Sequence, residues 1–79
     1  MGKVANMMMN TLTPREQQVA DAVARGLTNR QIAREFGISP ETVKRHLATI
    51  YDKLCVSGRV PLAIHVVTSR HEQKTAAAV

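Results

Sequence analysis

The sequence predicts an all-α fold, a compact four-helix domain containing a helix-turn-helix. Three observations carry that expectation. Phe36 and Tyr51 are the only aromatic residues among 79, so the core must be aliphatic, which suits helices better than a small β-sandwich. Helix-start signals recur three times in quick succession: "TPRE" at 13–16, "TNRQ" at 28–31 and "SPET" at 39–42. Between them, apolar residues return every three or four positions, the period of one helix face.

The first helix is expected over about 14–25. Thr13 caps it, Pro14 stands where no N–H is needed, and Glu16 completes a capping box, which accounts for Glu16 without a further role. Val19, Ala20, Val23 and Leu27 face inward, Leu12 staples the start, and Gly26 stops the helix. The second helix, 29–36, repeats the box with Thr28 and Gln31. Ile32, Ala33 and Phe36 point inward, and Gly37 ends it. Only Ile38 and Ser39 then precede the third helix, 40–54. A short helix, a Gly-containing turn and a longer helix form a helix-turn-helix.

The fourth helix is expected over 59–69, with Gly58 near its cap and Pro61 in its first turn. Val60, Ala63, Ile64 and Val67 give it one apolar stripe; Leu62 and Val66 give a second, offset one. The tail "HEQKTAAAV" shows neither cap nor apolar period. The expected organisation is therefore a flexible leader at 1–11, the domain at 12–69 and a flexible tail at 70–79.

Eleven Lys and Arg stand against six Asp and Glu, a net charge of +5. On a small domain that balance points toward nucleic acid or an anionic surface. One cysteine allows no internal disulfide, and no Cys/His cluster has zinc-ligand spacing, so neither metal nor cofactor is expected. No apolar run approaches the roughly 20 residues of a membrane span, and "MGKVANMMMN" lacks the features of a signal peptide. Paired carboxylates, a nucleophile–base set and a phosphate loop are all missing, so the chain is not read as an enzyme.

The third helix separates core from surface. Val43, Leu47, Ile50 and Leu54 fall in a narrow arc. Arg45, Ala48 and Asp52 point away from it, with Lys44 and Tyr51 on one flank and Thr42, His46 and Lys53 on the other. The outward surface of the first half thus carries Lys44, Arg45, Ala48 and Thr49. Small Ala48 would let the helix axis approach a groove, and Lys and Arg can donate to guanine edges or phosphates. The hydroxyls of Ser39, Thr42 and Thr49 suit phosphate. A solvated helix face also carries such charges, and helix-turn-helix shapes also occur in purely structural bundles.

The ordered set "LTPRE" (12–16), Val19, "GLTNRQIA" (26–33), "ISPETVKRHL" (38–47), "IYDKL" (50–54) and "RVPLA" (59–63) resembles the LuxR/FixJ/GerE-type DNA-binding domain of bacterial transcription regulators. The resemblance implies a four-helix domain, either the effector part of a larger regulator or a stand-alone small regulator, that binds double-stranded DNA in the bacterial cytoplasm. It places Lys44, Arg45 and Ala48 where such domains read base edges in the major groove. Thr28, Asn29, Arg30, Ser39, Thr42 and His46 match positions near the DNA backbone, although His46 reads equally well as a packing histidine. It also implies a homodimer on paired half-sites, with Leu62 and Val66 of the fourth helix in the contact. A helix-helix seam within one chain is the alternative reading of those two residues.

Two positions depart from the family pattern. Cys55 stands where glycine is common, so it either ends the helix differently or carries mild backbone strain. As a thiol it reads as a small half-buried hydrophobe rather than a redox sensor. "GRVP" (58–61) replaces a Ser-Arg-x-Glu capping box and so loses the reciprocal bonds. A competing function, of another class, is a protein-interaction module that docks on RNA polymerase or another regulator without reading DNA.

Overall fold

The computed structural model describes the backbone of residues 12–78 and the side chains of residues 12–69. Four helices follow in order: α1 Pro14–Ala24, α2 Asn29–Phe36, α3 Pro40–Leu54 and α4 Arg59–Ala78. The expected leader, 1–11, lies outside the described residues.

Local chemistry sets the three starts. Thr13 and Glu16 close a capping box: the Glu16 N–H donates to Thr13 Oγ1 at 3.1 Å and the Thr13 N–H to Glu16 Oε1 at 2.9 Å. Thr28 and Gln31 repeat it at 3.2 and 2.8 Å. Ser39 accepts from the Thr42 N–H at 3.1 Å, with Pro40 opening α3. Each cap satisfies an amide that the helix itself leaves unpaired.

The three helix exits share one geometry. Gly26, Gly37 and Cys55 each adopt the left-handed conformation. The N–H of the next residue reaches back to the carbonyl five positions earlier: Leu27 to Ala22, Ile38 to Ala33 and Val56 to Tyr51. These are Schellman closures, and in each the following apolar residue packs on the core. Cys55, at φ 55, is the non-glycine residue with positive φ among the described residues. It therefore carries the backbone strain expected of it, but it is exposed rather than half-buried. The residue after it, Val56, takes the inward place.

The core is aliphatic. Val19, Ile32, Val43, Ile50 and Leu62 are its largest fully buried side chains, drawn from all four helices. α1 packs on α4 and α3, and α2 packs on α3. α3 buries Val43, Leu47 and Ile50, while Leu54 packs at the margin.

α4 departs from expectation in two ways. It continues to Ala78 rather than ending near residue 69. The segment beyond 69 contains no glycine or proline and is rich in helix formers, so nothing stops the helix. Second, Leu62 and Val66 are 0% and 6% exposed inside the single chain, whereas Val60, Ile64 and Val67 are 68%, 60% and 55% exposed. Leu62 and Val66 are core residues packed with α1, not a surface free for a second chain. Pro61 fits the first turn as expected, and the Leu62 N–H closes that turn on the Gly58 carbonyl at 3.0 Å.

Candidate nucleic-acid interface

The outward face of α3 carries Lys44, Arg45, Ala48 and Thr49, all exposed, on the side opposite Val43, Leu47 and Ile50. Among the described residues neither Lys44 nor Arg45 has an ion-pair partner. Glu41, one turn before Arg45, does not reach it. Two full positive charges therefore stand uncompensated beside a methyl side chain. Beyond Ala48 the face falls into a shallow depression lined by Ala48, Tyr51, Asp52, Cys55 and Val56.

The hydroxyls near this face are not equivalent. Ser39 Oγ and Thr42 Oγ1 lie 2.9 Å apart and share one hydrogen bond, so one hydroxyl proton of the pair is left for an outside acceptor. Thr49 instead donates to the Arg45 carbonyl at 3.3 Å, within its own helix. Its proton is committed, which weakens the case for Thr49 as a phosphate donor. His46 is half-buried, and its imidazole has no hydrogen bond among the described residues.

A second group forms the start of α2. Thr28 and Arg30 are exposed and Asn29 is half-buried. Thr28 is occupied as an acceptor in its capping box, which leaves its hydroxyl proton outward. Asn29 Oδ1 accepts from Arg59 Nη1 at 2.7 Å. No hydrogen bond or ion pair among the described residues joins this group to the α3 group; the packing of α2 on α3 relates them.

Two supporting residues escape sequence reasoning. Lys53 Nζ donates to Glu16 Oε1 at 2.7 Å, joining the end of α3 to the first turn of α1. Glu16 is 7% exposed, so its capping bond and this ion pair are both largely withdrawn from water. Burial pushes its carboxyl up, but the Lys53 ammonium and the Thr13 N–H favour the carboxylate more, and the net shift is downward. Arg59 likewise spans to the α1–α2 turn, donating to the Leu27 carbonyl as well as to Asn29. The exposed Arg25–Glu35 pair, at 2.9 Å, contributes little by comparison.

Among the described residues no group of acidic, histidine or cysteine side chains could hold a metal ion. No helix there is long and apolar enough to cross a membrane.

Comparison with known proteins decides among the folds that carry such a face. The model of the luxR family of bacterial regulatory proteins matches residues 10–66. The chain belongs to the luxR family. A probable transcriptional regulatory protein, SgaR of Hyphomicrobium methylovorum, is 48% identical over 67 residues, covering 84% of this chain and 32% of that protein. The transcriptional regulatory protein UhpA of Escherichia coli is 46% identical over 61 residues, 77% of this chain and 31% of UhpA. The nitrate/nitrite response regulator protein NarL of the same organism is 39% identical over 62 residues, 78% of this chain and 29% of NarL. The chain thus spans about a third of the length of each of these relatives. No solved structure matches it. As a member of the luxR family of bacterial regulatory proteins it is a DNA-binding helix-turn-helix domain, and these relatives' names give transcription regulation.

Proposed function

We propose that this chain binds double-stranded DNA sequence-specifically by seating the first half of α3 in the major groove. The observation that carries this reading is Lys44 and Arg45, without an ion-pair partner among the described residues, beside Ala48 on a helix whose opposite face is held by a buried aliphatic arc. Lys44 and Arg45 read base edges, Ala48 permits the approach, and each good bidentate contact discriminates by about 1–3 kcal/mol. Ser39, Thr42 and His46, with Thr28, Asn29 and Arg30, hold phosphates and fix the register. The mechanism requires no catalysis.

The reading includes a homodimer on paired half-sites, acting on transcription in the bacterial cytoplasm with RNA polymerase as a further partner. The dimer contact in this reading is the exposed stripe of Val60, Ile64 and Val67, because three large apolar side chains left in water on one helix favour a protein partner.

The test is affinity for duplex DNA against salt concentration. Binding is expected to weaken steeply, with log K falling linearly in log salt at about −0.9 for each phosphate neutralised. Affinity that stays flat with salt, or no binding of duplex at all, contradicts the proposal and favours a protein-docking module.

A further inference from the structure

We infer that Arg59 is a positioning residue for DNA binding, whose guanidinium holds Asn29 with the donor end of its amide turned toward phosphate. The inference rests on the DNA-binding reading and deepens it, because that reading gives Arg59 no part. Arg59 lies in the first turn of α4, 30 residues from Asn29 along the chain. Its Nη1 donates to Asn29 Oδ1 at 2.7 Å, and its Nη2 donates to the Leu27 carbonyl. Both bonds are partly buried.

The chemistry of the pair fixes its polarity. A guanidinium has donors and no acceptor, so the Asn29 atom facing it must be the carbonyl oxygen. The Nδ2 group, with two N–H bonds, is then the end left for an outside partner. Phosphate oxygens accept and do not donate, so this is the orientation that fits them. An Asn29 released from Arg59 can turn its oxygen outward, toward like charge. The second arm acts on the backbone: Leu27 immediately precedes the Thr28 cap, so the α2 start is held to α4 on both sides of that cap.

Lysine separates positioning from charge. Arg59→Lys keeps the positive charge but lacks the planar fork that grips two acceptors at once. A residue that acts by attracting DNA tolerates the change; one that acts by orienting Asn29 does not.

The experiment measures binding of the chain and its variants to a short mixed-sequence duplex at several salt concentrations, with thermal unfolding of each variant. Arg59→Lys is expected to weaken binding about tenfold, the scale of one hydrogen bond to a charged group, while keeping the wild-type salt slope. In an Asn29→Ala background the same substitution is expected to change binding little, because the group it positions is gone. Wild-type affinity in Arg59→Lys overturns the inference, and so does an undiminished loss in the Asn29→Ala background. Where Arg59→Lys fails to fold, Asn29→Ala decides: it removes the outward donor without adding charge. Weakened binding by folded Asn29→Ala at an unchanged salt slope supports the inference, and unchanged binding overturns it. A wild-type chain that does not bind duplex sinks the DNA-binding reading and this inference together; wild-type binding with unaffected variants sinks this inference alone.

Discussion

α3 and α4 each turn one face to the core and one to water, but their outward faces differ in kind. α3 shows Lys44 and Arg45, which have no ion-pair partner among the described residues, whereas α4 shows Val60, Ile64 and Val67. On α3, Val43, Leu47 and Ile50 lie inside and Lys44 and Arg45 outside, so hydrophobic periodicity alone separates the buried face from the exposed one. On α4 both faces carry large apolar residues, and only one is covered. The lesson is that an aliphatic stripe marks a surface in need of a partner without saying whether that partner lies in the same chain.

Substitutions on the two faces of α4 break that comparison with the largest effect. Leu62→Ala is expected to cost about 2–5 kcal/mol of stability, because the side chain is fully buried. Chemical denaturation checks this. The matching outer change, Ile64→Ser, sits at the bottom of the scale, with less than about 0.5 kcal/mol when unfolding is followed at low protein concentration. Equal losses at the two positions would show that the helix is rotated from the orientation described.

Within α3, two lysines sharpen the contrast between paired and free charge. Lys53→Met is expected to cost about 2 kcal/mol near neutral pH, since it strands the largely buried Glu16 carboxylate. Lys44→Met, which removes an exposed charge with no ion-pair partner among the described residues, is expected to cost less than about 0.5 kcal/mol. The pH dependence follows from the lowered Glu16 carboxyl. Its contribution to stability is present above the ordinary value of 4.5 and is lost as pH falls through the lower folded-state value. The gap between wild type and Lys53→Met is therefore expected to narrow below pH 4.5, as read from denaturation midpoints across acid pH.

The helix exits supply a smaller effect of opposite sign. Gly26 and Gly37 adopt the left-handed conformation freely, whereas Cys55 does so with a Cβ. Cys55→Gly is expected to stabilise the fold by about 1 kcal/mol, part of the relief being offset by the greater freedom of glycine in the unfolded chain. A lower unfolding midpoint in that variant would contradict the account of this exit.

What was legible in the sequence follows from the distance over which each interaction acts. Thr13, Thr28 and Ser39 cap within three residues of themselves, and Gly26 and Gly37 stop helices locally, so short windows suffice to read them. The core arc of α3 is legible for the same reason. Which of the two stripes of α4 faces inward is not, because the buried one opens on charged Arg59 and ends on Ser69, and the three exposed aliphatic residues beside it look more hydrophobic. Glu16–Lys53 and Asn29–Arg59 join residues 37 and 30 positions apart, and nothing in the spacing of either partner announces the other. Glu16 was readable as a cap and unreadable as a buried anion. Ser39, Thr42 and Thr49 were readable as hydroxyls near one face, but which proton each keeps depends on side-chain geometry.

The central claim is that the exposed basic face of α3 reads base sequence. Selection of bound duplexes from a random pool, run in parallel with the wild-type chain and with Lys44→Ala/Arg45→Ala, tests it most directly. One enriched motif, repeated as paired half-sites, is expected for the wild type, with loss of that preference in a variant that remains folded. The same motif enriched by both proteins would contradict it.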